Sequence, residues 1–162
     1  MPSHKLYTIG YEGASVEDLV AALQDAGVRR LIDIRYSPYS KRDAFSREAL
    51  GPALAAYGIA YTHVRELGNP PASREAARLG HAAAYREIFT GHLNGPEGQA
   101  GLRQVLAAAE GEPVCLMCLE RAARHCHRNM VAERLAEMGG FEVEHLLTSR
   151  RTAHPAQTAF DF

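Results

Sequence analysis

Short apolar runs alternate with amphipathic stretches along almost the whole chain. Five of these runs have the length and the β-branched content of buried strands. They lie at residues 6–9, 31–34, 59–64, 114–119 and 143–147. The run at 114–119 is the strongest of the five, and we expect it to be buried on both faces.

The stretches between these runs carry apolar residues at helical spacing. Ser15 and Asp18 form a capping-box pattern at the start of the first stretch, and Gly27 supplies its stop. Phe45 opens a second helix that Gly58 ends. Further helical segments are expected from about residue 96 to the turn at 110–113, around residues 131–138, and in an insertion at 69–95 bracketed by turn signals.

Strands that alternate with helices predict a parallel sheet, because each crossover returns the chain to the same edge of the sheet. We therefore expect an α/β fold, Rossmann-like and doubly wound, with about five mostly parallel strands and helices on both faces. The chain is expected to form a single domain with its core at about 6–147 and a C-terminal tail at 148–162.

Polar side chains stand at the carboxyl ends of three predicted strands, where ligands bind in sheets of this kind. They are Tyr11 after the first strand, Asp33 and Arg35 at the end of the second, and Cys118 and Glu120 at the end of the fourth. We expect the first strand to lie centrally, beside the second and the fourth. The three loops would then converge on one crevice.

Composition and net charge limit the classes of protein to which this chain can belong. With 162 residues and 46% hydrophobic content, one domain buries roughly 70% of the surface of its unfolded chain without metals or disulfides. A formal net charge of -1 gives no general positive field, so nucleic-acid binding is not supported by charge. The N-terminus has no apolar signal core and no run approaches the length of a membrane span. We expect a cytoplasmic protein that does not contact membranes.

All three cysteines lie between residues 114 and 131, and one interpretation of this cluster is a zinc site. Cys115, Cys118, Cys126 and His127 would be its four ligands. Residues three apart on a regular strand point to opposite faces, however, so Cys115 and Cys118 do not readily share one ion. Cys115 is better interpreted as a small buried hydrophobic residue. A metal held by Cys118, Cys126 and His127 stays open.

A second interpretation is a phosphate-binding loop of the C-x5-R type. Cys118 and Arg124 have that spacing, which cysteine phosphatases and rhodanese-like proteins use to close backbone N–H groups around an anion. Glu120 would lie inside this loop, where a phosphate needs uncharged amides. The segment also has no glycine that would let the backbone wrap around the anion. Both features argue against the phosphatase interpretation.

A third interpretation joins the end of the strand to the start of the next helix. If the strand continues to Glu120, Cys118 and Glu120 point to the same face. Cys126 and His127 would lie in the first helical turn, where free N–H groups lower the pKa of a thiol. Cys126 would then be a reactive thiolate with His127 as its proton partner. Glu120 would act as a general acid, a general base or a nucleophile.

Arg35 and Arg128 are the candidates for binding an anionic group in bidentate fashion. Asp33 would handle protons or stabilise a developing cation, and Tyr11 would contact the substrate. A fourth interpretation is structural, in which Glu120 pairs with Arg124 or Arg128 and no reaction is catalysed. We prefer the catalytic interpretation for the set as a whole, because its members follow three separate strand ends.

The ordered motifs resemble the domain-of-unknown-function 488 family, over about residues 6–147. The motifs are Tyr7-Thr8-Ile9-Gly10-Tyr11, Asp33-Ile34-Arg35 followed by Pro38 and Ser40, Phe45-Ser46, His63 with Leu67-Gly68, Cys118-Leu119-Glu120 and Cys126-His127-Arg128. The resemblance implies a bacterial or archaeal α/β protein whose signature elements are the Cys-x-Glu and Cys-His-Arg motifs. Gly13 departs from the family pattern, since many relatives carry a larger polar residue there.

These observations predict a small enzyme, a hydrolase or a group transferase, that acts on an anionic substrate such as a nucleotide or a nucleic-acid component. Hydride transfer is disfavoured because no dinucleotide fingerprint is present. One alternative is a non-catalytic metal-binding or redox-sensing module that uses Cys118, Cys126 and His127. Another is a module that binds nucleic acid or a partner protein through residues 69–95. The resemblance does not identify a cofactor, so the cofactor and the oligomeric state both stay open.

Overall fold

The computed structural model describes residues 4–122 and 127–148, and its centre is one sheet of five parallel strands. The strands are β1 (Lys5–Gly10), β2 (Arg30–Asp33), β3 (Ala60–His63), β4 (Val114–Cys118) and β5 (Glu142–Leu146). Their order across the sheet is β3-β2-β4-β1-β5, and every neighbouring pair is parallel. The predicted Rossmann-like α/β fold is confirmed, with each strand boundary within one residue of its expected position.

Six α-helices lie within the described residues and connect the strands. They are α1 (Val16–Ala26), α2 (Arg47–Ala55), α3 (Pro71–Arg78), α4 (Ala82–Asn94), α5 (Pro96–Gly111) and α6 (His127–Gly139). The predicted capping box is present, because the Ser15 hydroxyl accepts from the Asp18 N–H and the Asp18 carboxylate accepts from the Ser15 N–H. Gly27 ends α1 with φ of 75°, a value that glycine adopts without strain. The insertion at 69–95 consists of α3 and α4.

The two faces of the sheet carry separate hydrophobic cores. Side chains of α1 and α2 cover one face, and side chains of α4, α5 and α6 cover the other. Strand β4 is buried along its whole length. Its side chains alternate between the cores, with Cys115 and Met117 facing α1 and α2 while Leu116 and Cys118 face the other helices. The predicted separation of Cys115 from Cys118 is therefore confirmed.

The expectation that the first strand lies beside the second is wrong, because β4 lies between them. Gly10 of β1 is opposite Cys118, and Asp33 of β2 is opposite Met117. The crevice forms nonetheless. β1 leads to α1 on one face and β4 leads to α6 on the other, and this divergence opens a space at the carboxyl ends of neighbouring strands. The loops after β1, β2 and β4 meet there.

No helix within the described residues is long and apolar enough to cross a membrane. Residues 149–162 of the expected tail lie outside the described part of the chain.

Candidate functional site

A small cavity of about 50 Å³ opens where the loops after β1, β2 and β4 meet. Five of the predicted site residues line it, namely Tyr11, Arg35, Cys118, Glu120 and His127. Two other predicted site residues, Asp33 and Arg128, are described by the structure but do not line this cavity. The volume holds a few water molecules, so one phosphate-sized group fits inside. The rest of a larger ligand would extend past the rim.

Arg35 is held by the carboxylate that ends β2. Its Nε donates to Asp33 Oδ1 at 2.8 Å and its Nη2 donates to Asp33 Oδ2 at 2.7 Å. Asp33 is completely buried, and Arg35 is 7% exposed. Burial alone would lower the pKa of Arg35, but the hydrogen bonds and charge of Asp33 outweigh it and raise that pKa above its ordinary value. The guanidinium is therefore charged and fixed in its plane.

Two tyrosines extend this ion pair to either side. The Tyr61 hydroxyl, from the edge strand β3, donates to Asp33 Oδ2. Arg35 Nη1 donates to the Tyr11 hydroxyl at 3.2 Å, and the Arg35 Cζ lies 5.3 Å from the centre of the Tyr11 ring. Tyr11 is itself stacked on Phe45, with ring centroids 4.6 Å apart. The four side chains Tyr61, Asp33, Arg35 and Tyr11 thus form one connected row.

Glu120 lies two residues beyond the last residue of β4, and its side chain reaches back toward the strand. Its Oε2 is 3.5 Å from Cys118 Sγ. The predicted proximity of the two side chains is present although β4 ends at Cys118. Burial raises the pKa of Glu120 to about 7, although the Arg128 guanidinium opposes the shift. Near neutral pH the carboxyl is therefore populated in both its protonated and its ionised form.

Arg128 of α6 is completely buried and supports the loop that carries Glu120. Its Nη1 donates to the backbone oxygen of Glu120 at 3.0 Å, and its Nη2 donates to that of Arg121 at 3.4 Å. Nη1 also lies 3.5 Å from Cys118 Sγ. Burial lowers the pKa of Arg128 to about 10, so it stays charged at neutral pH. Its Nε has no hydrogen-bond partner among the described residues.

The same loop leaves no room for a side chain at the end of β1. A Cβ on Gly10 would lie 1.7 Å from the backbone oxygen of Glu120 and 2.7 Å from Arg128 Nη1. The loop is bonded to the chain beyond Gly10, since the Glu12 N–H donates to the backbone oxygen of Leu119 at 2.8 Å. Glycine at position 10 is therefore a requirement of this close approach.

His127 begins α6 and contributes a buried imidazole to the cavity wall. Its Nε2 is 2.8 Å from the backbone oxygen of Ile34, and because that oxygen can only accept, Nε2 carries the hydrogen. Phe89 meets the ring edge-on at a centroid distance of 5.4 Å. Burial lowers the pKa of His127 to about 4, so the ring is neutral at neutral pH.

The cysteines differ in their surroundings. Cys118 is disulfide-bonded, whereas Cys115 is a free thiol in the opposite core, where burial raises its pKa. Cys126 and Arg124, on which the thiolate, zinc and C-x5-R interpretations depend, lie outside the described residues. Within residues 4–122 and 127–148, no three His, Cys, Asp or Glu side chains are grouped as metal ligands.

The remaining wall of the cavity comes from residues that the sequence analysis did not single out for function. Tyr36 and Tyr39 follow β2, while Asn69 and Arg74 belong to the start of the insertion. Gly68 brings the two segments together, because a Cβ there would lie 2.3 Å from the Tyr36 Cα. The glycine of the Leu67-Gly68 motif was the feature of the sequence from which this contact could have been predicted.

The family model for the domain of unknown function DUF488 matches residues 15–135. The chain belongs to this family. The match contains the Asp33-Ile34-Arg35 motif, all of β4 and the start of α6, and it is shorter at both ends than the resemblance predicted. No curated protein and no solved structure matches the chain. The DUF488 assignment carries no activity, so the function must be argued from the side chains of the cavity.

Proposed function

We propose that this DUF488 protein is a small enzyme, a hydrolase or a group transferase, that binds an anionic substrate at Arg35 and moves a proton through Glu120. One observation carries the proposal: a guanidinium held in its charged form and a carboxyl with a pKa of about 7 line the same small cavity. Perturbed titratable groups that converge on a cleft are typical of catalytic sites.

Arg35 has the donors that anion binding requires. A guanidinium carries five N–H groups. Asp33 accepts from one on Nε and one on Nη2, and Tyr11 accepts from one on Nη1. The Tyr61 side chain also contacts the guanidinium, so at least one N–H group is left for a ligand. Because Asp33 fixes the plane of the guanidinium, a phosphate or carboxylate would meet donors that are already oriented.

Glu120 supplies the proton transfer. A bound anion close to this carboxyl favours its protonated form, so substrate binding would raise the pKa of Glu120 further. The protonated carboxyl would then act as a general acid toward the leaving group, while water or an acceptor attacks the substrate. The exposed ring of Tyr39 in the wall favours a substrate with a planar ring, which makes nucleotides the first class to test.

The test is a turnover screen of nucleoside phosphates and sugar phosphates with wild-type protein and Glu120→Gln. We expect at least one substrate, with Glu120→Gln reducing kcat about 100-fold or more while substrate binding persists. Glu137→Gln, which removes an exposed carboxylate of α6, is the matched control and should keep full activity. A Glu120→Gln variant with wild-type kcat, or the absence of binding by every anion in the screen, would contradict the proposal.

A second candidate function is a redox-sensing module, and the disulfide-bonded Cys118 in the cavity wall favours it. In this case a dithiol reductant would cleave the disulfide and change the affinity of the cavity for an anion. Titration of phosphate with and without dithiothreitol measures the effect. A Cys118→Ser variant should show one affinity under both conditions. Equal affinities for the wild-type protein would exclude the sensing function.

A further inference from the structure

Two more arginines contact the ring of Tyr36 in the cavity wall, and one of them, Arg74, also lines the cavity. The Arg65 Cζ is 4.3 Å from the centre of the Tyr36 ring, and the Arg74 Cζ is 5.4 Å from it. Arg65 Nη2 also donates to the Tyr36 hydroxyl at 2.6 Å. Tyr36 and Arg74 line the cavity. The wall beyond Arg35 is therefore cationic as well as aromatic.

Arg74 differs from Arg35 in the compensation of its charge by a carboxylate. Arg35 has an ion pair with Asp33, whereas Arg74 has no carboxylate within ion-pair distance among the described residues. Glu66 and Glu97 act on Arg65 only through space. Two like charges on one ring repel each other, and the ring offsets this only in part. A bound anion would relieve the repulsion.

We propose that Arg74, stacked on Tyr36, forms a second anion subsite and that the substrate is a diphosphate, with one phosphoryl group at Arg35 and the other at Arg74. The inference rests on the proposed function and names its substrate class. A group at Arg35 fills the cavity of about 50 Å³. The linked second group would then lie at the mouth, where Arg74 is.

Asn69 adds a donor to the same wall. The hydroxyl of the buried Ser73 donates to Asn69 Oδ1, so the polar group that Asn69 has left is its Nδ2 donor. Phosphoryl oxygens only accept hydrogen bonds, and a wall made of guanidinium and amide N–H groups matches them. The close contact of Gly68 with the backbone of Tyr36 keeps the insertion against the β2 loop. The segment that carries Arg74 therefore lies against the loop that carries Arg35.

The test compares the binding of inorganic phosphate and pyrophosphate to the full chain by calorimetry. We expect the wild-type protein to bind pyrophosphate more tightly than phosphate, by at least about threefold, the size of one partly exposed charge pair. Arg74→Gln should remove this preference, because it weakens the binding of pyrophosphate more than the binding of phosphate. Arg74→Lys, which keeps the charge but loses the planar fork, should retain part of it.

Arg103→Gln is the control for charge, because it removes an exposed arginine of α5 and should keep the preference. Equal affinities of the wild-type protein for the two anions, or a preference that survives unchanged in both Arg74 variants, would overturn the second subsite. If phosphate binds without any preference, only the diphosphate inference fails. If neither anion binds, the proposed function fails with it.

Discussion

Arg35 and Arg128 are both buried guanidiniums beside the same cavity, but different groups hold them. Arg35 forms two hydrogen bonds with the carboxylate of Asp33, which together with the charge of Asp33 raises its pKa against the effect of burial. Arg128 donates to two backbone oxygens, and burial lowers its pKa to about 10. Both arginines remain charged at neutral pH.

The different partners of the two arginines fit different roles: Arg35 can bind a ligand, and Arg128 supports a loop. A carboxylate partner occupies one edge of the Arg35 guanidinium and leaves donors for a ligand, whereas the backbone oxygens of Glu120 and Arg121 engage Arg128 and fix the loop that presents Glu120. Both arginines belong to sequence motifs. Membership of a motif therefore does not distinguish a residue that can bind substrate from one that shapes the site.

The largest effect should come from removing the carboxylate on the Arg35 side. Asp33→Ala leaves a buried guanidinium without its counter-charge, and we expect the free energy of unfolding to fall by about 3–5 kcal/mol. Denaturation in urea at neutral pH measures it. Asp25→Ala, at an exposed position of α1, is the control and should cost well under about 1 kcal/mol. A loss that small at Asp33 would show that Arg35 does not depend on the ion pair.

On the Arg128 side, Gly10→Ala should be the most disruptive conservative change. The added Cβ collides with the backbone oxygen of Glu120 and with Arg128 Nη1, so the loop must move. Such overpacking costs about 1–3 kcal/mol. Gly91→Ala in α4, where a Cβ meets nothing within 4 Å, is the matched control, and it should stabilise the helix by up to about 1 kcal/mol. Similar melting curves for the two variants would contradict the close approach.

The elements of the fold could be predicted because their signals are local. The capping box of Ser15 and Asp18 and the alternation that separates Cys115 from Cys118 need only neighbouring residues. Strand order could not be predicted in the same way. The position of β4 between β1 and β2 follows from packing between segments distant in the sequence.

The contrast between local and non-local signals also explains which site residues could be identified from the sequence. The lining residues Arg35 and Glu120 follow strand ends, and His127 begins a helix, so all three could be identified from their local positions. Arg74 lies on the insertion, and Tyr61 lies on the edge strand β3. Their contacts with Tyr36 and Asp33 are non-local, so no spacing in the sequence indicates them.

Glu120 lines the cavity together with Arg35, and Arg128 donates to its backbone oxygen. A substitution of the side chain tests the carboxyl without removing that backbone contact. Glu120→Gln keeps the backbone oxygen that Arg128 binds and removes only the ionisable group. The folded pKa of about 7 is above the ordinary 4.5, so the unfolded state releases its proton first as pH rises. The wild-type protein should therefore lose stability relative to Glu120→Gln between these two values.

We expect the loss to reach about 1–2 kcal/mol after solvent screening and to level off at higher pH. Urea denaturation of both proteins across this range measures the difference. Glu137→Gln, at an exposed position of α6, is the control for the substitution itself. A difference that is constant with pH, or that grows in favour of the wild-type protein, would show that burial does not raise the pKa of Glu120.

The smallest predicted effect tests whether the orientation of Arg35 depends on Tyr61 as well as on the Asp33 carboxylate. Tyr61→Phe removes the hydroxyl that donates to Asp33 and leaves the ion pair with Arg35 in place. Burial, followed by the charge of Asp33, raises the pKa of Tyr61, so the hydroxyl is a permanent donor. Its loss should cost about 1 kcal/mol of stability and weaken phosphate binding up to about fivefold.

Tyr57→Phe, at a position that is 54% exposed, is the matched control and should change neither quantity. If Tyr61→Phe behaves like this control, Asp33 alone orients Arg35. If instead it is as harmful as Asp33→Ala, the phenol and the carboxylate act as one unit, because loss of either would release the guanidinium from its plane. An intermediate loss of stability with weaker phosphate binding makes Tyr61 a positioning residue that acts on the ligand through Asp33 and Arg35.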